Sequence, residues 1–302
     1  MLAIPMFGPD NIESVDIKDD DDYTGYLEIT LDEEEMANFY SDSKLYGQRL
    51  NMRIGQYLNI YEKTSQERVD TLCWTVDGFR QLRYKGFYSK QLGEVKPFKN
   101  DIYQAMVADS LLNNKITMIK GPAGAGKSYL ATGFLFHLLD KGKIDKILIF
   151  CNTVATKNAA KLGFYPGSKD EKLLDSQIGN FLASKLGSKM AVEQLIDQEK
   201  LVLLPMSDIR GYDTSGMNAG IYITEAQNLD VELLKLALQR AGEDAIFILD
   251  GDIKSQVDLV DYEGANNGMR RASKVFRGHD VYGEVCLKKI HRSKIAEIAE
   301  AM

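Results

Sequence analysis

An α/β fold with a mainly parallel sheet, preceded by a small antiparallel β module, is what the sequence predicts for this chain. Three observations carry that prediction. Short apolar runs, KITMIK (115–120), KILIFC (146–151), LVLLPM (201–206), GIYITE (220–225) and AIFILDG (245–251), alternate with helix-like segments. Apolar strands interleaved with helices belong to a parallel sheet covered on both faces. Upstream, QYLNIYE (56–62) and RVDTLCW (68–74) alternate apolar and polar residues around a polar turn. With GFRQL (78–82) they read as an antiparallel meander. Finally, the glycine-rich GPAGAGKS (121–128) joins the first apolar strand to an apolar helix, SYLATGFLFHLL.

Taken in chain order, residues 1–45 read as an acidic leader, 46–94 as the β module and 95–302 as the α/β core, with the boundary near residues 90–96. The first 35 residues hold twelve Asp/Glu and one lysine, Lys18, a local balance of -11 against -7 for the whole chain. The remainder is therefore mildly basic, at +4. Such a leader reads as a solvated tail, or as a segment that competes with nucleic acid for a basic surface. Pro97 precedes a helical stretch, NDIYQAMVADSLL, and the long segment 165–200 reads as a largely helical insertion or lid.

Hydrophobic residues make up 44% and charged residues 27% of the 302 positions, the balance of a soluble globular protein. No apolar run approaches the ~20 residues of a membrane span, and the N-terminus lacks the pattern of a secretory signal. Cys73, Cys151 and Cys286 stand singly, which argues against a disulfide framework or a zinc site. A reducing cytoplasm is the expected setting, bacterial or, for a phage-encoded chain, that of the host.

GPAGAGKS matches G-x-x-x-x-G-K-[ST] in full and in the required strand-to-helix context. The expected core is a RecA-like P-loop NTPase. Gly121, Pro122, Ala123, Gly124, Ala125 and Gly126 would turn backbone N–H groups toward phosphates, with the helix dipole behind them. Lys127 would contact the β- and γ-phosphates, Ser128 would ligate Mg2+, and Tyr129 completes the nucleotide-binding stretch. ATP and Mg2+ are the expected cofactors. YITEAQN (222–228) ends a strand and opens a helix, which puts Glu225 at the carboxyl edge of the sheet as the candidate water-activating base.

From about residue 95 onward the chain resembles the PhoH-like ATPases, whose core is related to superfamily 1 helicases. The resemblance rests on GPAGAGKSYLA, LGFYPG (162–167) followed by Glu171 and Lys172, IRG (209–211), TEAQN (224–228) and GDIKSQVDL (251–259). The meander resembles the linker that precedes this core in PIN-fused members; no PIN domain is recognised, so their ribonuclease activity is not carried over. The resemblance implies that Gln104 reads adenine, an amide being able to pair with both a donor and an acceptor. It implies that Gln256 senses the γ-phosphate, that Asp252 supports the same loop, and that Arg292 in LKKIHRS approaches that phosphate. Arg210 becomes an arginine finger, in cis or from a neighbour, or a plain surface arginine.

One departure stands out. The usual Walker B strand ends in Asp-Glu, whereas here Thr224 precedes Glu225. A threonine hydroxyl can hydrogen-bond a metal-bound water but brings no charge, so Thr224 stands as a candidate metal residue and weak magnesium affinity or slow turnover is expected. The residue after the RG element, basic in the family, is Tyr212. The leading expectation is an ATPase coupled to RNA or single-stranded DNA. Its support is a basic C-terminal stretch of Arg270, Arg271, Lys274, Arg277, Lys288 and Lys289. With one RecA-like domain recognised, motor activity would need a homo-oligomeric ring, a hexamer being one size. The alternative is a regulatory or assembly ATPase that switches slowly without remodelling nucleic acid.

Overall fold

A computed structural model describes residues 23–83, 86–151, 173–206, 208, 214, 216–240, 242, 244–252 and 266–291. The meander folds as read: β2 (Tyr57–Glu62), β3 (Arg68–Thr75) and β4 (Gly78–Gln81) pair antiparallel in that order. A further strand, β1 (Tyr26–Leu31), joins parallel to β2, with Tyr26 opposite Tyr57 and Leu31 opposite Glu62. Two helices follow it, α1 (Glu33–Ser41) and α2 (Ser43–Arg49).

The boundary expected at residue 45 thus falls inside α2, and five of the twelve acidic residues, Glu28, Asp32, Glu33, Glu34 and Glu35, belong to the folded module. Asp32 accepts a hydrogen bond from the Glu35 N–H at 3.0 Å, and the Glu35 carboxylate accepts one from the Asp32 N–H at 2.9 Å. This capping box puts Glu33, Glu34 and Glu35 in the first turn of α1, where the dipole favours them. Ile29, Leu31, Phe39, Leu58, Ile60, Leu72 and Trp74 form the module's core.

The second sheet has six described strands, all parallel: β7 (Ile116–Lys120), β8 (Lys146–Cys151), β9 (Leu201–Pro205), β10 (Ala219–Ile223), β11 (Ile246–Gly251) and β12 (Tyr282–Cys286). Their spatial order is β12-β7-β11-β10-β8-β9. On one face, Ile119, Ile149, Tyr222, Ile248 and Val285 pack in a layer with residues of α3 (Ile102–Asn113) and α4 (Lys127–Asp140). That layer also takes in apolar residues of α5 (Gln177–Leu186) and α6 (Lys189–Asp197), the helical part of the expected insertion. On the other face, Met118, Leu148, Ile221, Phe247 and Leu249 meet residues of α7 (Val231–Gln239) and α8 (Gly268–Phe276). A small hairpin, β5 (Phe87–Ser89) and β6 (Gly93–Val95), lies on α4, where Phe87 meets Phe134 with ring centroids 5.2 Å apart.

Module and core are joined by buried polar contacts. Asp109 on α3 accepts two hydrogen bonds from the Arg80 guanidinium, each 2.8 Å, one from the Tyr57 hydroxyl at 2.8 Å and one from the Arg83 N–H at 2.6 Å. The chain before β1 runs along β12, with the Cys286 N–H donating to the Thr24 carbonyl at 2.8 Å.

Candidate functional site

The strand order decides what meets at the carboxyl edge of the sheet. β11 lies between β7, which feeds the glycine loop, and β10, which leads to Glu225. The loop itself is built for backbone approach. Gly121 has φ +140°, and a Cβ there would sit 2.8 Å from the Leu287 carbonyl. Gly126 has φ +94°, and a Cβ there would sit 2.6 Å from the Gln104 amide nitrogen. Only glycine is unstrained at such φ values. Lys127 opens α4, and its ammonium donates to the carbonyls of Gly121 at 2.6 Å and Pro122 at 3.0 Å, so the charge lies in the mouth of the loop.

Ser128, next on α4, donates to the Asp250 carboxylate at 3.3 Å. Asp250 is 1% exposed and has two further donors: the Tyr222 hydroxyl at 2.5 Å and the Glu225 N–H at 3.1 Å. Burial pushes its carboxyl up to about 6; the Lys127 ammonium opposes that rise, and the Glu225 carboxylate adds to it. The side chains of Ser128 and Thr224 both lie beside the Tyr222 hydroxyl. Thr224 is neutral, but a carboxylate faces Ser128 from the next strand.

Glu225 follows β10 in a left-handed conformation, φ 54° and ψ 41°, and leads into a 3-10 turn, Ala226–Asn228, rather than directly into an α-helix. Its carboxylate accepts a hydrogen bond from the Gln227 amide at 2.6 Å. The Gln227 side-chain oxygen accepts from the Asp252 N–H at 3.2 Å, which ties the turn after β10 to the end of β11.

Gln104, the expected adenine reader, lies against the P-loop, its amide nitrogen close to Gly126. Its side-chain oxygen accepts from the Phe98 N–H and its nitrogen donates to the Ala125 carbonyl, both at 2.8 Å. At 1% exposure it braces the P-loop from beneath, with both ends of its amide committed to main chain. Gln256, Arg210 and Arg292 lie outside the described residues, as does LGFYPG (162–167). The segment leading to Arg292 does reach the loop. The Leu287 N–H donates to the Lys120 carbonyl at 2.8 Å, and the His291 N–H donates to the Gly124 carbonyl at 3.1 Å. The His291 ring pairs with Asp101 at 2.7 Å and lies against Phe98, centroids 4.8 Å apart.

The basic stretch does not form one face. Arg271, Lys274 and Lys289 are exposed, but Arg277 is buried, stacked 4.0 Å from the Tyr23 ring centroid and bonded to the Ser273 hydroxyl at 2.6 Å. Lys288 pairs with Glu28 at 2.9 Å. Sequence reasoning passed over Asp250, Tyr222, Gln227 and His291. The signal available for Asp250 was its place at the end of an apolar strand, where a charge must have a partner.

The donor set suits a small hard cation held jointly with a nucleotide. A serine hydroxyl at the head of α4 and a carboxylate 3.3 Å away are oxygen donors of the kind magnesium takes. Among the described residues no group of three or more His, Cys, Asp or Glu that could hold a metal ion is gathered. No helix among them is long and apolar enough to cross a membrane.

A full phosphate loop between strand and helix, on a parallel sheet with one strand between it and the glutamate-bearing strand, defines a P-loop NTPase. The family model described as PhoH-like protein matches residues 96–302, and the chain belongs to that family. Protein PhoH2 of Bacillus subtilis is 26% identical over 312 aligned residues, which take in 98% of this chain and 68% of that protein. The PhoH-like protein of the same organism is 29% identical over 197 residues, 64% of this chain and 59% of its own length. Protein PhoH2 of Mycolicibacterium smegmatis is 28% identical over 203 residues, 66% of this chain and 45% of its own. The chain thus spans about half to two thirds of the length of these relatives. Among solved structures, C. elegans PCH-2 aligns over 80% of this chain and 54% of that one at a TM-score of 0.30 and 13% identity, too distant to carry any argument.

Proposed function

We propose that this chain binds ATP with magnesium and hydrolyses it, and that hydrolysis is coupled to RNA or single-stranded DNA in a homo-oligomeric ring. The observation that carries the ATPase reading is the convergence of Lys127, Ser128 and Glu225 at one edge of the sheet. Lys127 would exchange its two carbonyl partners for β- and γ-phosphate oxygens. Ser128 would hold the ion. When bound there, magnesium supplies charge neutralisation across the β- and γ-phosphates. Glu225 would orient and deprotonate the attacking water, its carboxylate steadied by the Gln227 amide. The roles that family resemblance gives Gln256, Arg210 and Arg292 belong to the same proposal.

The nucleic-acid part is supported by Arg271 and Lys274, two exposed cations one turn apart on α8. Side chains three apart share a helix face, so the two can meet successive phosphates. Location in the cytoplasm is part of this reading. Its test is ATP turnover measured with and without single-stranded RNA and DNA. Stimulation by either supports the coupled motor. Turnover indifferent to both leaves a regulatory or assembly switch. No turnover and no ATP binding would remove the ATPase reading.

A further inference from the structure

We infer that Asp250 is the carboxylate that organises magnesium in this protein, moved one strand from the Walker B strand and positioned to act through Ser128 and a metal-bound water. The inference rests on the magnesium-ATP reading above and adds to it the residue that makes the metal bind.

Three independent features of the structure support it. The first is register. Tyr222 pairs with Ile248 and Ile223 with Leu249 in the parallel ladder of β10 and β11, so the next level sets Thr224 beside Asp250. Side chains at one level of neighbouring parallel strands point to the same face. The carboxylate absent at position 224 therefore reappears at the same height, displaced sideways by about one strand spacing, ~4.8 Å. The displacement is toward the P-loop, because β11 pairs directly with β7 and Asp250 itself faces Ile119. Second, Asp250 accepts the Ser128 hydroxyl proton, the contact that holds a P-loop hydroxyl ready to turn its lone pairs to a cation. The third feature is its surroundings. Tyr222 occupies the same carboxylate oxygen as Ser128, while the Glu225 N–H occupies the other. The carboxylate is thus fixed in orientation and joined to both the metal hydroxyl and the candidate base.

A purely structural Asp250, kept only to bond Tyr222 and the turn at Glu225, would give the same hydrogen bonds. The two roles separate electrostatically. Without a cation, a carboxylate beside the phosphate site repels the nucleotide; with one, it strengthens binding. Replacement by asparagine therefore has opposite effects in the two conditions if Asp250 serves the metal, and weakens binding in both if it serves only the fold.

The experiment titrates a fluorescent ATP analogue onto the full chain, in EDTA and across a magnesium series, for wild type, Asp250→Asn and the swap Thr224→Asp/Asp250→Asn. For Asp250→Asn the half-saturating magnesium concentration should rise by about 10–100-fold, the usual cost of losing an outer-shell partner. Affinity in EDTA should stay level or tighten. The swap should bring the magnesium requirement back toward wild type. Thermal melts accompany each variant, and if Asp250→Asn melts early the swap alone decides, because it keeps one carboxylate at that level. Wild-type magnesium dependence in Asp250→Asn overturns the inference, and so does a folded swap that recovers nothing. A wild-type protein whose ATP affinity ignores magnesium would instead overturn the magnesium-ATP reading beneath it.

Discussion

Replacing Gln104 by alanine separates two jobs that a glutamine upstream of a P-loop can do. A residue that reads adenine loses discrimination between ATP and GTP when truncated, with the fold untouched. In this structure the amide instead spans the Phe98 N–H and the Ala125 carbonyl, each at 2.8 Å, and is 1% exposed. Truncation leaves the part-buried Phe98 N–H and the buried Ala125 carbonyl without their partner, the carbonyl at about 1–3 kcal/mol and the N–H at less. The emptied volume adds a packing loss, offset in part by any water that enters. A net destabilisation of about 2–4 kcal/mol is expected. The loss should also loosen the loop at Ala125, so ATP and GTP should weaken together and by a similar factor. Urea unfolding gives the stability change, with an unchanged m-value confirming that only stability has moved. Nucleotide titrations in parallel give the selectivity. Unaltered unfolding together with a lost preference for ATP would refute the brace and restore the base-reading role.

Other outcomes follow from the same contacts. Lys127→Ala should abolish tight ATP binding, whereas Glu225→Gln should bind ATP and turn it over at least about 100-fold more slowly, the low end of a general-base contribution; wild-type turnover in Glu225→Gln would remove Glu225 from the mechanism. Asp109→Ala should cost about 3–5 kcal/mol in equilibrium unfolding, because it strands the Arg80 guanidinium and the Tyr57 hydroxyl in the junction between module and core. An apolar replacement of both partners, Arg80→Met with Asp109→Leu, should recover part of that loss, and a double variant worse than the single would count against the ion pair as its cause. Neutralising Arg271 and Lys274 should flatten the slope of log affinity for single strands against log salt by about 1.4, at ~0.7 per phosphate contact. An unchanged slope would place the strand elsewhere.

What was legible in the sequence was what local pattern encodes. Most strands of the parallel sheet are apolar runs because both faces are covered, and Leu148, Ile149, Phe247 and Ile248 lie on alternate sides of one buried layer. The P-loop was legible because its glycines, lysine and serine act within one turn of chain. Strand β12 was missed because Glu284 interrupts its apolar run. That charge is buried against Lys120 at 2.5 Å, with the Ser273 and Tyr282 hydroxyls as further partners. The acidic stretch read as tail because a charge count cannot separate a capping box from a solvated run. Asp32 and Glu35 differ from their acidic neighbours only in what they bond. The main-chain contacts of Gln104, and Asp250 altogether, escaped because their partners lie 21 and 122 residues away, and only the packed sheet brings them together.

The same geometry explains why Asp250 and the proposed base, Glu225, are mechanically one unit. Glu225 is not a glycine, yet it holds φ 54°, a conformation that costs about 1–3 kcal/mol unless its surroundings fix it. Two contacts do so: its N–H donates to Asp250, and its carboxylate receives the Gln227 amide. Gln227 in turn accepts from the Asp252 N–H, and its own carbonyl accepts from the Asn267 side chain at 2.7 Å. The chain of contacts therefore runs Ser128, Asp250, Glu225, Gln227, Asp252, from the head of the P-loop helix to the end of β11. Asp250 is its second link, bonded to the Ser128 hydroxyl on one side and to the Glu225 N–H on the other. A charge at position 224 would lie on the same strand as the turn it must steady. From β11 it reaches across to that turn and to Ser128 at once, so the placement of Ser128 and the aim of Glu225 depend on one buried side chain.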